Sequence, residues 1–138
     1  MMRIAFIILI ILTVQAYNSF GQSITTANLS WTVSRMDNKN TGMIDERGGT
    51  IQSYGAERVD WYDSRGVLKQ TFTIREINGG WGNVANAGSI LYEAETEGKP
   101  CTIMFQRDGG SILIRIIVLP NGGQPLIYEF TIQNLTTL

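Results

Sequence analysis

Three observations predict one small antiparallel all-β domain of about eight strands, closed as an up-and-down barrel ahead of a two-layer sandwich. Apolar and polar residues alternate along most of the 138-residue chain, and no long segment carries a helical period. Turn signals fall at short intervals between the alternating runs, with no strand–helix–strand pattern between them. Three such signals, Glu97-Gly98, Asp108-Gly109 and Pro120-Asn121-Gly122-Gly123-Gln124-Pro125, divide residues 89–135 into a four-stranded meander.

Residues 1–21 are expected to be an export signal rather than part of the fold. Met1-Met2-Arg3 is a short basic start, and residues 4–14 are apolar except for Thr13. Eleven helical residues would span only about 16 Å, too short for a hydrocarbon core of about 30 Å. Ser19 and Gly21 are the small residues that a cut before Gln22 requires, so the domain is expected over 22–138, exported to a periplasm or the cell exterior. No stable membrane insertion is expected once the signal is gone.

Leu29, Trp31 and Val33 alternate with Ser30, Thr32 and Ser34 in a first strand, followed by a polar loop over 37–42. Residues 50–54 read as a short second strand after Gly48-Gly49. Residues 58–62 and 67–77 form a hairpin around Asp63-Ser64-Arg65-Gly66, which sets Trp61 near Leu68 and Val59 near Gln70. The stretch 78–88, Asn-Gly-Gly-Trp-Gly-Asn-Val-Ala-Asn-Ala-Gly, is longer than a hairpin needs. Trp81 within it has two roles open to it, a mobile ligand contact or a plug over one end of the core.

In the meander, closing on Glu97-Gly98 sets Ala94 against Cys101, Tyr92 against Ile103 and Ile90 against Phe105. Closing on Asp108-Gly109 sets Phe105 against Ile112 and Ile103 against Ile114, and the last hairpin sets Val118, Ile116, Ile114 and Ile112 against Leu126, Tyr128, Phe130 and Ile132. All of these fall on one face, in rows such as Tyr92–Ile103–Ile114–Phe130, and a one-residue slip at any turn would scatter them. A sheet with one apolar face needs a second layer, which the strands carrying Trp31, Trp61 and Phe72 supply. The opposite face is mixed, with Glu93, Thr102, Arg115 and Glu129 in one row and Leu91, Met104, Leu113, Ile117 and Ile127 beside it.

Composition excludes several chemistries. There is no histidine, so Ser-His-Asp and Cys-His sites cannot form and the commonest metal ligand is missing. The single cysteine, Cys101, permits neither an internal disulfide nor a zinc cluster, and its inward position reads as a small buried hydrophobe. No phosphate-loop pattern occurs, and Asp37-Asn38-Lys39-Asn40 lacks calcium-loop spacing. Glu93, Glu95 and Glu97 share a face at period two, the pattern of a solvated strand rather than of a glycosidase pair. No catalytic residue, metal site or cofactor is expected. Without residues 1–21, ten of the 11 Lys and Arg remain against 12 Asp and Glu, a formal charge of −2 without basic clusters. Nucleic acid is therefore not an expected partner. Asn28-Leu29-Ser30 and Asn134-Leu135-Thr136 match the N-glycosylation pattern, which matters only in a eukaryotic secretory host.

The strand order resembles the up-and-down barrels of lipocalins and avidins in architecture. Lipocalins usually open on Gly-x-Trp, whereas this chain has Leu29-Ser30-Trp31, so the likeness is one of architecture and not of family. The expected function is non-enzymatic binding of a small apolar or amphipathic ligand at an open barrel end, with Trp81, Tyr92 and Tyr128 as the ligand-lining residues. The alternative is a secreted or cell-surface interaction module that meets a protein partner, or itself, through the mixed outer face.

Overall fold

A computed structural model describes residues 22–138; the expected export segment over 1–21 lies outside the described residues. The strands are β1 (Asn28–Asn38), β2 (Ile44–Asp45), β3 (Gly49–Tyr54), β4 (Arg58–Tyr62) and β5 (Leu68–Asn78), then β6 (Gly88–Thr96), β7 (Lys99–Asp108), β8 (Ser111–Val118) and β9 (Leu126–Thr137). From β3 to β9 each strand pairs antiparallel with the next, and β1 pairs with both β3 and β9. Eight strands thus close into an up-and-down barrel, which leaves no long sheet edge open. β2 is the additional strand: its two residues pair with Met36 and Asp37 beyond the reach of β3, so β1 is longer than expected and the 37–42 loop shorter.

Alternation places the core as expected. Leu29, Trp31 and Val33 of β1, Ile51 of β3, Val59 of β4 and Phe72 of β5 are buried against the inward side chains of the meander. The β6–β7 hairpin has the expected register, with Tyr92 opposite Ile103 and Ala94 opposite Cys101. Glu97 and Gly98 both adopt positive φ (50° and 74°), as a two-residue turn matching the strand twist demands. The β8–β9 register is also as expected, from Ile112 opposite Ile132 to Val118 opposite Leu126.

The β7–β8 register differs by two residues. Asp108 pairs with Ser111, and the turn is Gly109-Gly110 with Gly109 at positive φ (59°), so Phe105 meets Ile114 and Ile103 meets Ile116. A shift of two keeps every side chain on its own face, because the side-chain period is two. The inward rows are accordingly Tyr92–Ile103–Ile116–Tyr128 and Ile90–Phe105–Ile114–Phe130, and on the outer face Arg115 lies between Met104 and Glu129 rather than beside Thr102. The β4–β5 hairpin shifts in the same way. Trp61 faces Gln70 and Val59 faces Phe72, with a bulge between Trp61 and Tyr62 that leaves Lys69 unpaired.

β1 and β9 close the barrel with one extra residue on each strand, Ser34 and Gln133, and the two irregularities cancel so that the register is the same on either side. On the outer face this seam puts Asp37 opposite Glu129. Their repulsion is offset by a chain of cations: Arg35 and Lys39 reach Asp37 at 2.7 and 3.8 Å, and Lys39 reaches Glu129 at 3.2 Å. Arg115 closes the network from β8, donating Nε to Glu129 at 2.9 Å.

Candidate functional site

The two barrel ends are built differently. At the end where β5 runs into β6, residues 79–87 fold back over the core together with the segment before β1. Ile24 N–H donates to the Trp81 carbonyl at 3.3 Å, and Val84 N–H to the Gln22 carbonyl at 3.0 Å. Trp81 is 5% exposed, its ring lies 6.1 Å from that of Trp31, and its indole N–H donates to the Asn86 carbonyl at 3.0 Å. Of the two roles open to it, Trp81 occupies the position of the plug. Gly88 is the residue that permits this, since a Cβ there would lie 2.3 Å from Trp81 Cδ1.

The opposite end, ringed by the 39–48, 63–67 and 119–125 connections, holds an open cavity of about 450 Å³. Its apolar part is formed by inward residues of the barrel, Val33 and Met36 of β1, Trp61 of β4, and Tyr128 and Phe130 of β9, with Met43 from the 39–48 connection. Trp61 lies 5.5 Å from Tyr128 and 5.1 Å from Phe130, centroid to centroid, the second contact edge-to-face. Offset and edge-to-face arrangements suit the ring quadrupoles and hold the three aromatics as one wall. Among the described residues Trp61 Nε1 has no acceptor, whereas Trp31 Nε1 donates to Ser53 at 2.9 Å and Trp81 Nε1 to Asn86. A depression of similar volume beside the plugged end, near Ile112, Ile132 and Arg107, contains no aromatic side chain.

Charge is concentrated on the rim. Two Asp-x-Arg segments, Asp45-Glu46-Arg47 and Asp63-Ser64-Arg65, each fold a carboxylate back on its own arginine. Asp45 accepts from the Arg47 guanidinium at 3.0 and 2.8 Å and from the Arg47 backbone N–H at 2.9 Å. The Arg47 guanidinium, followed by that backbone N–H, brings the Asp45 carboxyl down to about 2. Asp63 accepts backbone N–H groups from Val67 and Arg65 at 3.0 and 2.9 Å, and from the Arg65 guanidinium at 3.3 Å. Those bonds, the one from Val67 foremost, lower its pKa as well. Gln70 is held by donating its amide to Thr96 Oγ1 at 3.0 Å.

The three residues expected to line a ligand site are therefore not brought together. Tyr128 lines the open mouth, Trp81 sits at the plugged end, and Tyr92 is sealed in the core. Tyr92 shares a row with Tyr128 but is fully buried, edge-on to Phe105 at 5.7 Å. Its hydroxyl has no partner, and burial pushes its pKa up to about 12. Sequence reasoning used Trp61 only as cover for the sheet and missed it, with Arg47, Arg65 and Lys69, as a mouth residue. The repeated Asp-x-Arg pattern at two turns was the available signal. Cys101 is buried, and burial raises its thiol pKa to about 11, as a packing role requires. Among the described residues no group of three or more His, Cys, Asp or Glu could hold a metal ion. Comparison with protein-family models, with curated proteins and with solved structures finds no match to this chain.

Proposed function

We propose that this chain is an exported, non-enzymatic β-barrel that binds a small apolar or amphipathic ligand in its open mouth. The observation that carries the reading is the aromatic-walled cavity of about 450 Å³ at one barrel end, opposite an end closed by Trp81. Small-molecule sites are concave, mostly apolar and of about 300–1,000 Å³, with a few polar groups to orient the ligand. Trp61 and Tyr128 form the contact wall, and Trp81 serves the site indirectly by sealing the far end. The absence of histidine from the sequence supports a binding role over catalysis, and the basic and apolar start of the chain supports export.

The test is a titration of the purified chain with the neutral dye Nile red, followed by dye emission and tryptophan fluorescence. Saturable one-site binding is expected, weakened roughly tenfold or more by Trp61→Ala and unchanged by Trp81→Phe. Absence of saturable binding, or identical binding by a folded Trp61→Ala variant, refutes the proposal.

A second reading, an interaction module, draws on the distribution of exposed apolar side chains. Met43, Ile44, Val67, Leu68, Leu119 and Leu126 are all exposed and all lie in connections or at strand ends around the open mouth. On the mixed outer face first expected to carry the contact, Leu91 and Met104 share a row with Arg115 and Glu129, which breaks up the apolar surface. The rim is thus the better candidate for a protein contact. Sedimentation at several concentrations, with Ile44→Lys and Leu68→Lys as comparisons, detects the case in which the partner is a second copy.

A further inference from the structure

We propose that the occupant of the mouth is an amphipathic anion, its apolar body against Trp61 and Tyr128 and its acidic head on Lys69. This deepens the ligand-binding reading and rests on it. The charged residues that line the cavity are three cations, Arg47, Arg65 and Lys69, against two acids, Asp45 and Asp63. The acids are already engaged within the rim. All four of their carboxylate oxygens already accept bonds from their own arginines or from backbone N–H groups. The amide oxygen of Asn38, also on the rim, accepts the backbone N–H groups of Asn40 and Thr41 at 3.0 and 3.3 Å.

The donors are in the opposite condition. Lys69 has no carboxylate within 4 Å among the described residues, and three N–H donors on its ammonium. Its position follows from the bulge in the β4–β5 ladder. Gln70 pairs with Trp61 and Leu68 with Tyr62, so Lys69 stands unpaired between them and lines the cavity beside Gln70. Bulges re-aim a side chain that a regular strand would turn to the other face. Arg47 and Arg65 are each about four-fifths exposed, and each holds its aspartate through only part of a five-donor guanidinium. Trp61 Nε1 adds one more donor on the aromatic wall. A mouth whose carboxylates are held by their own arginines and whose lysine is unpaired, above an apolar wall, fits an anionic head on an apolar body. A cationic head would have to compete with the arginines for both carboxylates.

The head chemistry is shared by straight-chain and aromatic acids, and calorimetry on the full chain with two probe series separates them. One series is dodecanoate, its methyl ester and dodecylammonium, each below its micellar concentration; the other is naphthoate and its methyl ester. In the series whose body fits, the acid is expected to bind roughly tenfold tighter than its ester, with an advantage that shrinks as salt is added. Lys69→Met is expected to weaken the acid roughly tenfold and leave the ester unchanged, so that the two converge. Equal affinity of acid and ester in both series, or a preference for the acid that survives Lys69→Met, overturns the inference while the mouth remains a ligand site. Binding of Nile red without binding of any acid does the same. Failure of Nile red together with every probe removes the site reading itself, and the inference with it.

Discussion

Replacing Gly88 with alanine should open the plugged end of the barrel, because the added methyl and the Trp81 indole claim the same space. A Cβ built on Gly88 lies 2.3 Å from Trp81 Cδ1, 2.5 Å from Nε1 and 3.0 Å from Cγ. Carbon atoms rest at about 3.5–4.0 Å, so the ring must retreat by more than about 1 Å. Gly88 begins β6 on backbone that an alanine can adopt, so the conflict is with the side chain alone. A retreating ring loses the bond to the Asn86 carbonyl and its packing on Trp31. Overpacking costs ~1–3 kcal/mol and a lost hydrogen bond ~1 kcal/mol, so Gly88→Ala should destabilise by about 2–4 kcal/mol. Removing the ring outright, as Trp81→Ala, should cost about 3–5 kcal/mol. The two changes cannot be additive if the clash is the cause. In the Trp81→Ala background the alanine methyl enters vacated space, and its further cost should be within about 0.5 kcal/mol of zero. Urea midpoints followed by far-ultraviolet circular dichroism, at unchanged m-value, measure all four corners of this cycle. An undiminished cost of Gly88→Ala in the absence of the indole would refute the reasoning and move the origin of the strain to the β6 backbone.

Two further outcomes concern the core and the seam. Tyr92→Phe should be neutral or stabilising by up to about 1 kcal/mol near neutral pH, since it removes a buried hydroxyl that has no partner. A folded-state pKa raised to about 12 means that Tyr92 holds its proton longer in the folded chain than in the unfolded one. Its contribution is therefore complete below the unfolded value of about 10 and is lost as pH rises from there toward 12, a loss that thermal melts should show in the parent and less in Tyr92→Phe. Arg115→Ala should cost about 1 kcal/mol, because the pair lies on the outer face and Lys39 remains 3.2 Å from Glu129 to balance it. Burial by itself would raise the Glu129 pKa, but the bonds from Arg115 and Lys39 outweigh it and hold it below its ordinary value. Coupling between Arg115→Ala and Glu129→Ala should stay below about 1 kcal/mol, and a loss of about 3–5 kcal/mol in the single variant would mean that this face is covered.

Local rules written along the chain determined which side chains face inward, where most strands run, and two of the three meander registers. A period of two assigns faces without reference to any partner, and Glu97-Gly98 tolerates only one two-residue closure at positive φ. The absence of histidine and the single cysteine are equally plain in the sequence, and they narrow the chemistry without reference to the fold. What the chain order could not decide were the quantities set jointly by distant segments. Asp108-Gly109-Gly110 offers two adjacent closures with the same faces, and the choice between them is tied to the stagger summed around the closed barrel. The β1–β9 seam joins residues about a hundred positions apart, with its two compensating irregularities dictated by no local pattern. The site depended on the same closure. Trp31 and Trp61 read as cover for the sheet and Trp81 as a loop residue that could be a ligand contact or a plug, yet closure of the barrel and the return of the 79–87 loop put Trp61 beside Tyr128 at the open mouth and Trp81 against Trp31 at the plugged end. Side-chain direction is a local property of the strand, whereas the end of the barrel at which a side chain meets its neighbours is a property of all eight strands together.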